Sequence, residues 1–498
     1  MGKLILQGHP PYTLAYNMKL PGTYYIYALF MKLFGETVFG VHLGLLIVCI
    51  ISTFMMFLIA QHFTSRLGAL IACLCFGILN TSWTFLAQAG HATHFITFFA
   101  LAGTLVLIHS SGQNNFKYLH LYIAGCLYSC AFLCKQSGLP FIVFGCSYLF
   151  LTVPLQREHA SITIKRFAVL LSGFVSPVII FILYFLLTGN FPGFWFWTVS
   201  YLQEYGNQIP LNRAWPMFKT GLRSVTARYS VTGYFYLWEM AVAGLLLLPL
   251  SRIPLHKKGI IFSFFAFSVF SIIPGFYFRQ HYFITLIPAL ALLVAILFDL
   301  ISEIIHKKIR HVAIQPFLFL FFIFIISSGI FKNADYLFFR DTAISCKKVY
   351  GINPFPESIK LAEYLKRNTT ADDKIAVIGS EPQILFYADR YSATGYIYTY
   401  SLVEQHEYAS QFQRNMAEEI EANAPEFILF VNIPTSWLVQ RNSDNYIFDW
   451  TTDYVQRHYA ATGIVDIHPE SISFFKPVAQ YPDYKLTTPW YISVFKRK

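Results

Sequence analysis

The chain carries little charge for its length, and this scarcity points to its class. Of its 498 residues, 13% are charged, 55% are hydrophobic and 18% are aromatic, and the mean hydropathy is +0.49. Soluble domains carry roughly 25% charged residues, so the composition predicts a membrane protein with a soluble part. Cysteine is also scarce after residue 331, where Cys346 stands alone, so no disulfide can form within that part.

Acidic residues are rarest in the first 331 positions. Six Asp and Glu stand there against 20 Lys and Arg, a net charge of +14, whereas positions 332–498 have a net charge of −3. Cations in cytoplasmic loops of a membrane protein account for much of such an excess, so it does not require a nucleic-acid partner. The chain also lacks a P-loop, a dinucleotide fingerprint, a zinc-ligand spacing and a nucleophile elbow.

Long apolar runs follow one another almost without pause from residue 38 onwards. A helix needs ~20 mainly apolar residues to cross a bilayer, and most of these runs reach that length. They predict an α-helical polytopic membrane protein with about ten transmembrane helices. The predicted spans are Val38–Gln61, Leu67–Gln88, Thr93–Ser110, Leu119–Cys134, Ser137–Leu155, Phe167–Leu187, Thr232–Leu250, Gly259–Pro274, His281–Ile301 and Val312–Phe331.

The last part of the chain, residues 332–498, is predicted to be a soluble α/β domain outside the membrane. Apolar periodicity favours helices and strands in turn along it, and turn residues follow the strands. The predicted helices are Glu357–Asn368 and Glu404–Asn423, and the predicted strands are Lys374–Gly379, Glu426–Val431 and Tyr491–Phe495.

Residues 1–37 are predicted to form an external loop with short interfacial helices, followed by a transmembrane domain at 38–331. Pro and Gly in Gly8–Tyr12 and Leu20–Thr23 interrupt regular structure in the first segment. No signal peptide or first helix stands before this segment to carry it across the membrane. We therefore expect a reading frame that starts late, and the alternative is that this short N-terminus is translocated unaided.

Cations distinguish the two sides of the membrane. With an outside N-terminus, the loops of one side collect most of them, and the positive-inside rule makes that side cytoplasmic. The short loops of the other side hold only Lys135 and Arg279, each at a helix end. The cytoplasmic set is Arg66, Lys117, Arg157, Lys165, Arg166, Arg252, Lys257, Lys258, Lys307, Lys308 and Arg310.

Lys135, Arg279 and His281 are therefore candidate site residues, with the basic loop 213–228 beside them. An Arg fork pairs with phosphate through two hydrogen bonds, and Lys supplies a point charge. An anionic partner at this depth would be the phosphate of a membrane lipid, such as a polyprenyl-phosphate carrier or lipid A. The alternative for Arg279 is that it snorkels to phospholipid head groups.

A sugar on such a carrier could be transferred only with a base for the acceptor hydroxyl, usually a carboxylate. In the first 331 residues only Glu36 and Glu204 fall clearly outside, and Glu204 is the better placed. Its alternative is an interfacial residue that is hydrogen-bonded to a loop. His91 and His94 begin a helix on the same side, where polar packing is favoured over metal ligation because no third ligand accompanies them.

Several short motifs follow one another in an order that resembles the GT-C superfamily of polytopic glycosyltransferases. The resemblance is to its protein O-mannosyltransferase and aminoarabinose-transferase branch, and it covers nearly the whole chain. The motifs are Gly8–Tyr12, Lys19–Gly22, Leu33–Gly35, Lys135–Gln136, Phe194–Trp197, Arg279–Tyr282, Ile378–Pro382 and Ser392–Gly395.

The resemblance implies an enzyme that moves a hexose or pentose from a polyprenyl-phosphate donor to a lipid, protein or glycan acceptor. It would act on the outer face of the membrane, expected to be a bacterial plasma membrane. Lys135, Arg279 and His281 would hold the donor phosphate. The remaining site residues are Tyr12, Lys19 and Tyr282 in substrate loops and Glu204 as a catalytic candidate.

The family's key acid is an Asp in the first external loop, just before the part that matches Gly2–Tyr12. This sequence has no Asp before Asp299, so a truncated homologue without its first helix, inactive as given, stays open as an alternative. No cofactor is expected with certainty, and a divalent metal stays open. Two other functions stay open as well: a transporter or flippase of a lipid-linked anion, and a non-catalytic scaffold whose soluble domain binds a partner.

Overall fold

The computed structural model describes residues 1–111, 117–152, 160–227, 234–308 and 314–498. Three predicted loop cations, Arg157, Arg228 and Arg310, lie outside the described residues. Up to residue 332 the chain is helical, and after residue 373 it contains one mixed sheet with helices around it. The predicted order of a helical part followed by an α/β part is therefore confirmed.

The helices of the first part vary from single turns to eight turns. They are α1 (Gly2–Leu6), α2 (Gly22–Phe34), α3 (Val38–Phe63), α4 (Arg66–Leu79), α5 (Ala92–Ser111), α6 (Tyr118–Cys134), α7 (Pro140–Thr152), α8 (Ala160–Leu187), α9 (Phe191–Trp195), α10 (Tyr201–Asn207), α11 (Leu211–Thr226), α12 (Phe235–Leu247), α13 (Leu255–Phe270), α14 (Ile287–Lys308) and α15 (Ile314–Lys332). Short 3₁₀ turns at Gln136–Gly138, Pro274–Phe276 and Gln280–Leu286 join some of them.

Five helical stretches are long and apolar enough, by length and composition, to cross a membrane: Val38–Phe63, Ala92–Ser110, Ala160–Leu187, Gln280–Lys307 and Gln315–Lys332. Shorter apolar helices at Arg66–Leu79, Tyr118–Cys134, Gln136–Thr152 and Phe235–Leu250 accompany them. The polytopic helical class agrees with the sequence, while the count of ten spans stays a prediction.

The stretch Gln280–Lys307 is the central helical segment, because 89% of its most apolar window is buried inside the protein. Two features explain how neighbours approach it closely. Gly244 of α12 faces the Leu293 carbonyl at a distance that leaves no room for a Cβ. At the start of α4, the Asp299 carboxylate accepts hydrogen bonds from Ser65 N and Ser65 Oγ, both at 2.6 Å. The segment that begins with Gln280 is thus firmly held.

The C-terminal part has a six-stranded sheet in the order β2-β1-β3-β6-β4-β5, in which β2, β1 and β3 are parallel and the other pairs antiparallel. Its strands are β1 (Lys374–Ile378), β2 (Tyr391–Ser392), β3 (Phe427–Asn432), β4 (Tyr459–Asp466), β5 (Lys476–Pro477) and β6 (Tyr491–Arg497). Its helices are α16 (Thr342–Tyr350), α17 (Phe355–Arg367), α18 (Pro382–Ala388), α19 (Tyr400–Val403), α20 (Ala409–Asn423), α21 (Pro434–Trp437) and α22 (Tyr446–His458).

The predicted helix Glu357–Asn368 and the three predicted strands correspond to α17, β1, β3 and β6. The predicted helix Glu404–Asn423 is wrong at its start, because α20 begins only at Ala409. Glu404 instead ends the short helix α19, with an extended backbone at φ −69° and ψ 152°. As a result, the Glu404 side chain does not lie on the face of a helix.

One buried cluster joins the C-terminal part to the helical part. It contains Tyr12, Phe194 and Trp197 from the first 331 residues, packed with Tyr396 and Phe412 of the C-terminal part. Trp197 also stacks on Tyr16, with ring centroids 4.9 Å apart. Aromatic side chains bury large areas and dominate such interfaces, so the α/β part is seated on the N-terminal segment and not tethered loosely.

Candidate active site

A cavity of about 490 Å³, called here the central cavity, lies where the C-terminal part meets the helical part. Its lining comes from residues 16–19, 135–137, 197–206, 274–282 and 396–404, together with His91. These segments are far apart in the sequence. The tertiary structure therefore brings together Lys19, Lys135, Arg279, His281 and Tyr282, all of which the sequence nominated.

Lys135 occupies the break between α6 and the next turn, and hydrogen bonds from three other segments hold that break in place. Its ammonium nitrogen lies 3.5 Å from the centroid of the Tyr282 ring, in a cation–π contact. The bonds are Thr23 Oγ1 to the Cys134 carbonyl (2.8 Å), Gln136 Nε2 to the Met18 carbonyl (3.2 Å) and Ser271 Oγ to the Ser137 carbonyl (2.6 Å). Lys135 is thus held in position by the fold.

The Arg279 stretch has an unusual backbone. Gly275, Phe276 and Phe278 have φ angles of 74°, 55° and 43°, a left-handed region that non-glycine residues seldom occupy. Gly221 of α11 touches the Phe278 carbonyl so closely that a Cβ there would collide with it. Residues held in such conformations persist only where their surroundings enforce them, and they cluster at functional sites. The guanidinium carbon of Arg279 lies 5.2 Å from the centroid of the Tyr277 ring.

His281 stacks on His91, with ring centroids 4.2 Å apart and an interplanar angle of 11°. His91 in turn is stacked near His94, at 6.2 Å. The Nε2 atoms of His91 and His94 are buried without a hydrogen-bond partner among the described residues. No group of three or more His, Cys, Asp or Glu side chains in the described ranges is placed to hold a metal ion. The imidazoles therefore form a stacked pair on the cavity lining with a third ring behind it.

Lys19 reaches the cavity from the N-terminal segment, and Tyr12 holds its backbone. The Tyr12 hydroxyl donates a hydrogen bond to the Lys19 carbonyl at 2.6 Å. Tyr12 itself is 4% exposed, packs against Phe185 and Phe194, and does not line the cavity. The predicted substrate-loop residue Tyr12 thus positions Lys19 from inside the aromatic cluster.

Three cations in this cavity lack acidic partners. Among the described residues, no carboxylate lies within ion-pair distance of Lys19, Lys135 or Arg279. Burial, followed by the charge of Lys135, lowers the pKa of Lys19 to about 8. Burial also lowers the pKa of Lys135. Unpaired, partly buried like charges are costly, and such arrangements are typical of sites that bind an anion.

A second cavity of about 510 Å³, called here the adjoining cavity, shares part of this lining. Lys19, Lys135, His91 and His281 line both cavities. The adjoining cavity also includes Met31, Val38 and Val41, from α2 and the start of the long apolar helix α3. Lys19 and Lys135 therefore lie between the central cavity and a chamber that reaches a candidate membrane helix.

The outside carboxylates that the sequence nominated line neither cavity. Glu36 lies 3.6 Å from the Lys3 ammonium, and Glu204 is half-buried on α10. The carboxylate on the central-cavity lining, among the residues described, is Glu404. Sequence reasoning missed it because only carboxylates before residue 332 were considered and Glu404 was predicted to begin a helix. A usable signal was the run of tyrosines at Tyr396, Tyr398 and Tyr400 just before it.

The basic loop also lies elsewhere. Arg213, Lys219 and Arg223 are exposed on α11 and do not line the central cavity. Their helix packs on the Arg279 stretch through Gly221. These cations thus face away from the cavity while their helix supports its wall.

The chain matches known proteins in its N-terminal third and in its fold. Residues 11–181 match the family model described as dolichyl-phosphate-mannose-protein mannosyltransferase. None of the curated proteins compared with the chain matches it. ArnT from Cupriavidus metallidurans, solved bound to undecaprenyl phosphate, aligns over 99% of this chain and 91% of its own, with 12% identity and a TM-score of 0.56.

The same ArnT in its apo state aligns with the same values. The Archaeoglobus fulgidus oligosaccharyltransferase, solved with a tethered acceptor peptide containing the NVT sequon, aligns over 96% of this chain and 68% of its own, with 11% identity and a TM-score of 0.50. At these identities the structural likeness is one of fold. The chain therefore shares the fold of ArnT and the oligosaccharyltransferase, and its residues 11–181 are similar to the mannosyltransferase family model.

Proposed function

We propose that this protein transfers a sugar from a polyprenyl-phosphate donor to a lipid, protein or glycan acceptor on the outer face of the membrane. The single observation that carries the proposal is the convergence of Lys19, Lys135 and Arg279 on one cavity without acidic partners. The ArnT neighbour was solved with undecaprenyl phosphate, and the matched family is described by a dolichyl-phosphate donor. Both ligands are lipid phosphates.

The cavity residues would bind that phosphate in different ways. Arg279 offers a planar fork for two phosphate oxygens, and Lys135 and Lys19 add point charges. His281 is oriented by its stack on His91 and presents its edge to the same space. Tyr282, fixed under the Lys135 ammonium, limits where that ammonium can move.

The same cations would assist the chemistry. Transfer breaks the bond between the sugar anomeric carbon and a phosphate oxygen, and the electron pair leaves with the polyprenyl phosphate. Negative charge therefore grows on the phosphate as the transition state forms. Pre-positioned cations stabilise growing charge more than the ground state, which is how such a site accelerates a reaction.

The location follows from the distribution of cations. With the larger set of loop cations, from Arg66 to Arg310, on the cytoplasmic side, the central cavity and the α/β part would face the opposite side. We propose a bacterial plasma membrane with an extracytoplasmic α/β domain. The chamber that reaches Val38 and Val41 would then receive the start of the prenyl chain from the outer leaflet.

The first test measures binding of undecaprenyl phosphate to the purified full chain in detergent. Lys135→Met and Arg279→Met should each weaken binding by about 10- to 100-fold, because a hydrogen bond to a charged group contributes roughly 1.5–3 kcal/mol. Lys219→Met, which removes an exposed cation on α11, is the matched control and should bind as the wild type does. Unchanged affinity in both cavity variants would contradict the proposal.

The second test follows a labelled sugar. The full chain in liposomes receives polyprenyl-phosphate mannose or aminoarabinose, with lipid A, a Ser- and Thr-containing peptide and a glycan as acceptors. Label on an acceptor, reduced by Arg279→Met, is the expected result. Movement of labelled lipid between leaflets without transfer to any acceptor would favour the transporter instead.

A further inference from the structure

We propose that Glu404, supplied by the α/β part, receives the proton of the acceptor hydroxyl, so that this part completes the active site. The inference rests on the proposed function and extends it to the acceptor side. Glu404 is 5% exposed and lines the central cavity. Among the described residues it is the only carboxylate on that lining, whose polar groups also include cations, imidazoles and hydroxyls.

The loop that carries Glu404 is anchored at the carboxyl ends of β1 and β3. Thr399 N donates to Ser380 Oγ at 2.8 Å, just after β1, and Thr399 Oγ1 donates to the Ser436 carbonyl at 3.0 Å, just after β3. The Tyr400 hydroxyl donates to the Thr435 carbonyl at 3.1 Å. The carboxyl ends of parallel strands are where α/β folds commonly bind ligands. The sheet therefore holds this loop rigidly over the cavity.

The Glu404 carboxylate is aimed by residues of the helical part. Its Oε2 accepts a hydrogen bond from the Tyr201 hydroxyl (3.1 Å) and another from Gln208 Nε2 (3.2 Å). Its Oε1 accepts none from any described residue. One oxygen is thus used for orientation, and the other is available to a hydroxyl in the cavity, which is the arrangement that a general base needs.

A polar chain connects this carboxylate to the phosphate-holding residues. Gln208 Nε2 donates a hydrogen bond to Glu404 Oε2, and Gln208 Oε1 accepts one from the Tyr277 hydroxyl at 2.9 Å. Tyr277 stacks on Tyr205 at 4.6 Å, and its ring faces the Arg279 guanidinium. The distance between base and phosphate site is therefore set by packed side chains, although the base itself lies beyond ion-pair reach of Lys19, Lys135 and Arg279.

The step balances without a further reactant. The acceptor oxygen forms a bond to the anomeric carbon, and the bond from that carbon to the phosphate oxygen breaks. The electron pair leaves on the polyprenyl phosphate, where the cations hold it. The acceptor proton moves to Glu404 Oε1, and water later removes it. The base Glu404 and the cations that hold the leaving phosphate lie on separate segments of the same cavity lining. This arrangement suits a displacement in which the base removes the acceptor proton while the cations stabilise the leaving phosphate.

The experiment compares donor binding and sugar transfer in the same full-length preparations. Glu404→Gln keeps an oxygen that accepts from Tyr201, so we expect undecaprenyl phosphate to bind within about twofold of the wild-type affinity. The rate of transfer from polyprenyl-phosphate mannose or aminoarabinose at saturating donor should fall about 10²- to 10⁴-fold, the usual contribution of a general base. Glu404→Asp should recover part of the rate with a shifted pH profile. Glu407→Gln, exposed in the same loop, should transfer as the wild type does.

Each result has a definite meaning. Transfer at the wild-type rate by Glu404→Gln, or a loss that appears only with Glu204→Gln, overturns the role of Glu404 and leaves the phosphate site standing. A Glu404→Gln variant that loses donor affinity instead of rate assigns this residue to donor binding and also overturns it. Wild-type protein that binds donor and transfers to no acceptor overturns this proposal together with the proposed function.

Discussion

Alkaline pH should weaken the binding of undecaprenyl phosphate, because one of the three cavity cations loses its proton near neutrality. Burial, followed by the charge of Lys135, lowers the pKa of Lys19 from 10.5 to about 8. A phosphate monoester gives up its second proton near pH 6, so the ligand keeps the same charge above pH 7.5. Between pH 7.5 and 9 the change in charge therefore belongs to the protein.

The sign and size follow from proton linkage. Below pH 8 Lys19 is mostly an ammonium that attracts the phosphate, and above pH 8 it is mostly a neutral amine. The charged fraction falls from about three quarters at pH 7.5 to about one tenth at pH 9, so an affinity that requires the ammonium should fall roughly eightfold. The bound phosphate in turn should raise the pKa of Lys19 by favouring its charged form.

The assay is equilibrium binding of labelled undecaprenyl phosphate to the full chain at several pH values across this range. Lys19→Arg keeps a positive charge at every pH tested, so its affinity should stay nearly constant. Lys219→Arg, on the exposed face of α11, should keep the wild-type slope. A flat wild-type profile, or an equal slope in Lys19→Arg, would show that Lys19 is not the titrating group.

Two further substitutions test how the fold holds the site. Gly22→Ala should lower the melting temperature and the donor affinity together, because a Cβ there would lie 2.7 Å from the Leu133 carbonyl oxygen and overpacking costs roughly 1–3 kcal/mol. Lys347→Met should destabilise the α/β part by roughly 3–5 kcal/mol, because it leaves the fully buried Glu357 carboxylate without its charged partner. In the wild-type protein that carboxylate lies 2.7 Å from the Lys347 ammonium. Thermal unfolding of the full chain measures both.

Matched variants separate these effects from general damage. At Gly77, in the interior of α4, a Cβ would meet only the Thr53 methyl group at 4.0 Å, so Gly77→Ala should leave affinity unchanged and should not lower stability, because Ala suits a helix interior better than Gly. Lys360→Met removes an exposed pair with Glu363 and should cost less than about 1 kcal/mol. Equal losses in the test and control variants would contradict the packing argument for Gly22 and the burial argument for Lys347.

Local sequence patterns predicted the helices and strands well. Hydropathy and apolar periodicity placed the long helices and three strands of the sheet, because these depend on neighbouring residues only. The start of the helix at 404–423 was wrong for a related reason. Residues 404–408 are polar enough to suit a helix surface, but the backbone is extended at Glu404. The nearby hydrogen bond from Tyr400 to Thr435 joins positions far apart in the sequence, which a local pattern does not encode.

Site residues were predictable in part. Lys135 and Arg279 stood out because cations are rare in the short loops that the sequence predicts to be external, and both line the central cavity. Tyr12, predicted in a substrate loop, is buried among aromatic rings, and its hydroxyl donates a hydrogen bond to the Lys19 carbonyl. Its distance from the cavity depends on how residues 185–197 pack against it, which no local pattern encodes.

By itself the sequence determined that this is a polytopic helical membrane protein with a C-terminal α/β part, and it predicted that Lys135 and Arg279 are an unusual pair of outward cations. Composition and periodicity suffice for that, since burial of apolar surface and satisfaction of the backbone dictate the class. Only the tertiary structure decided which charges share a cavity. The hydrogen bond from Tyr201 to Glu404 joins residues 203 positions apart, and a contact of that range arises when the α/β part docks on the helices.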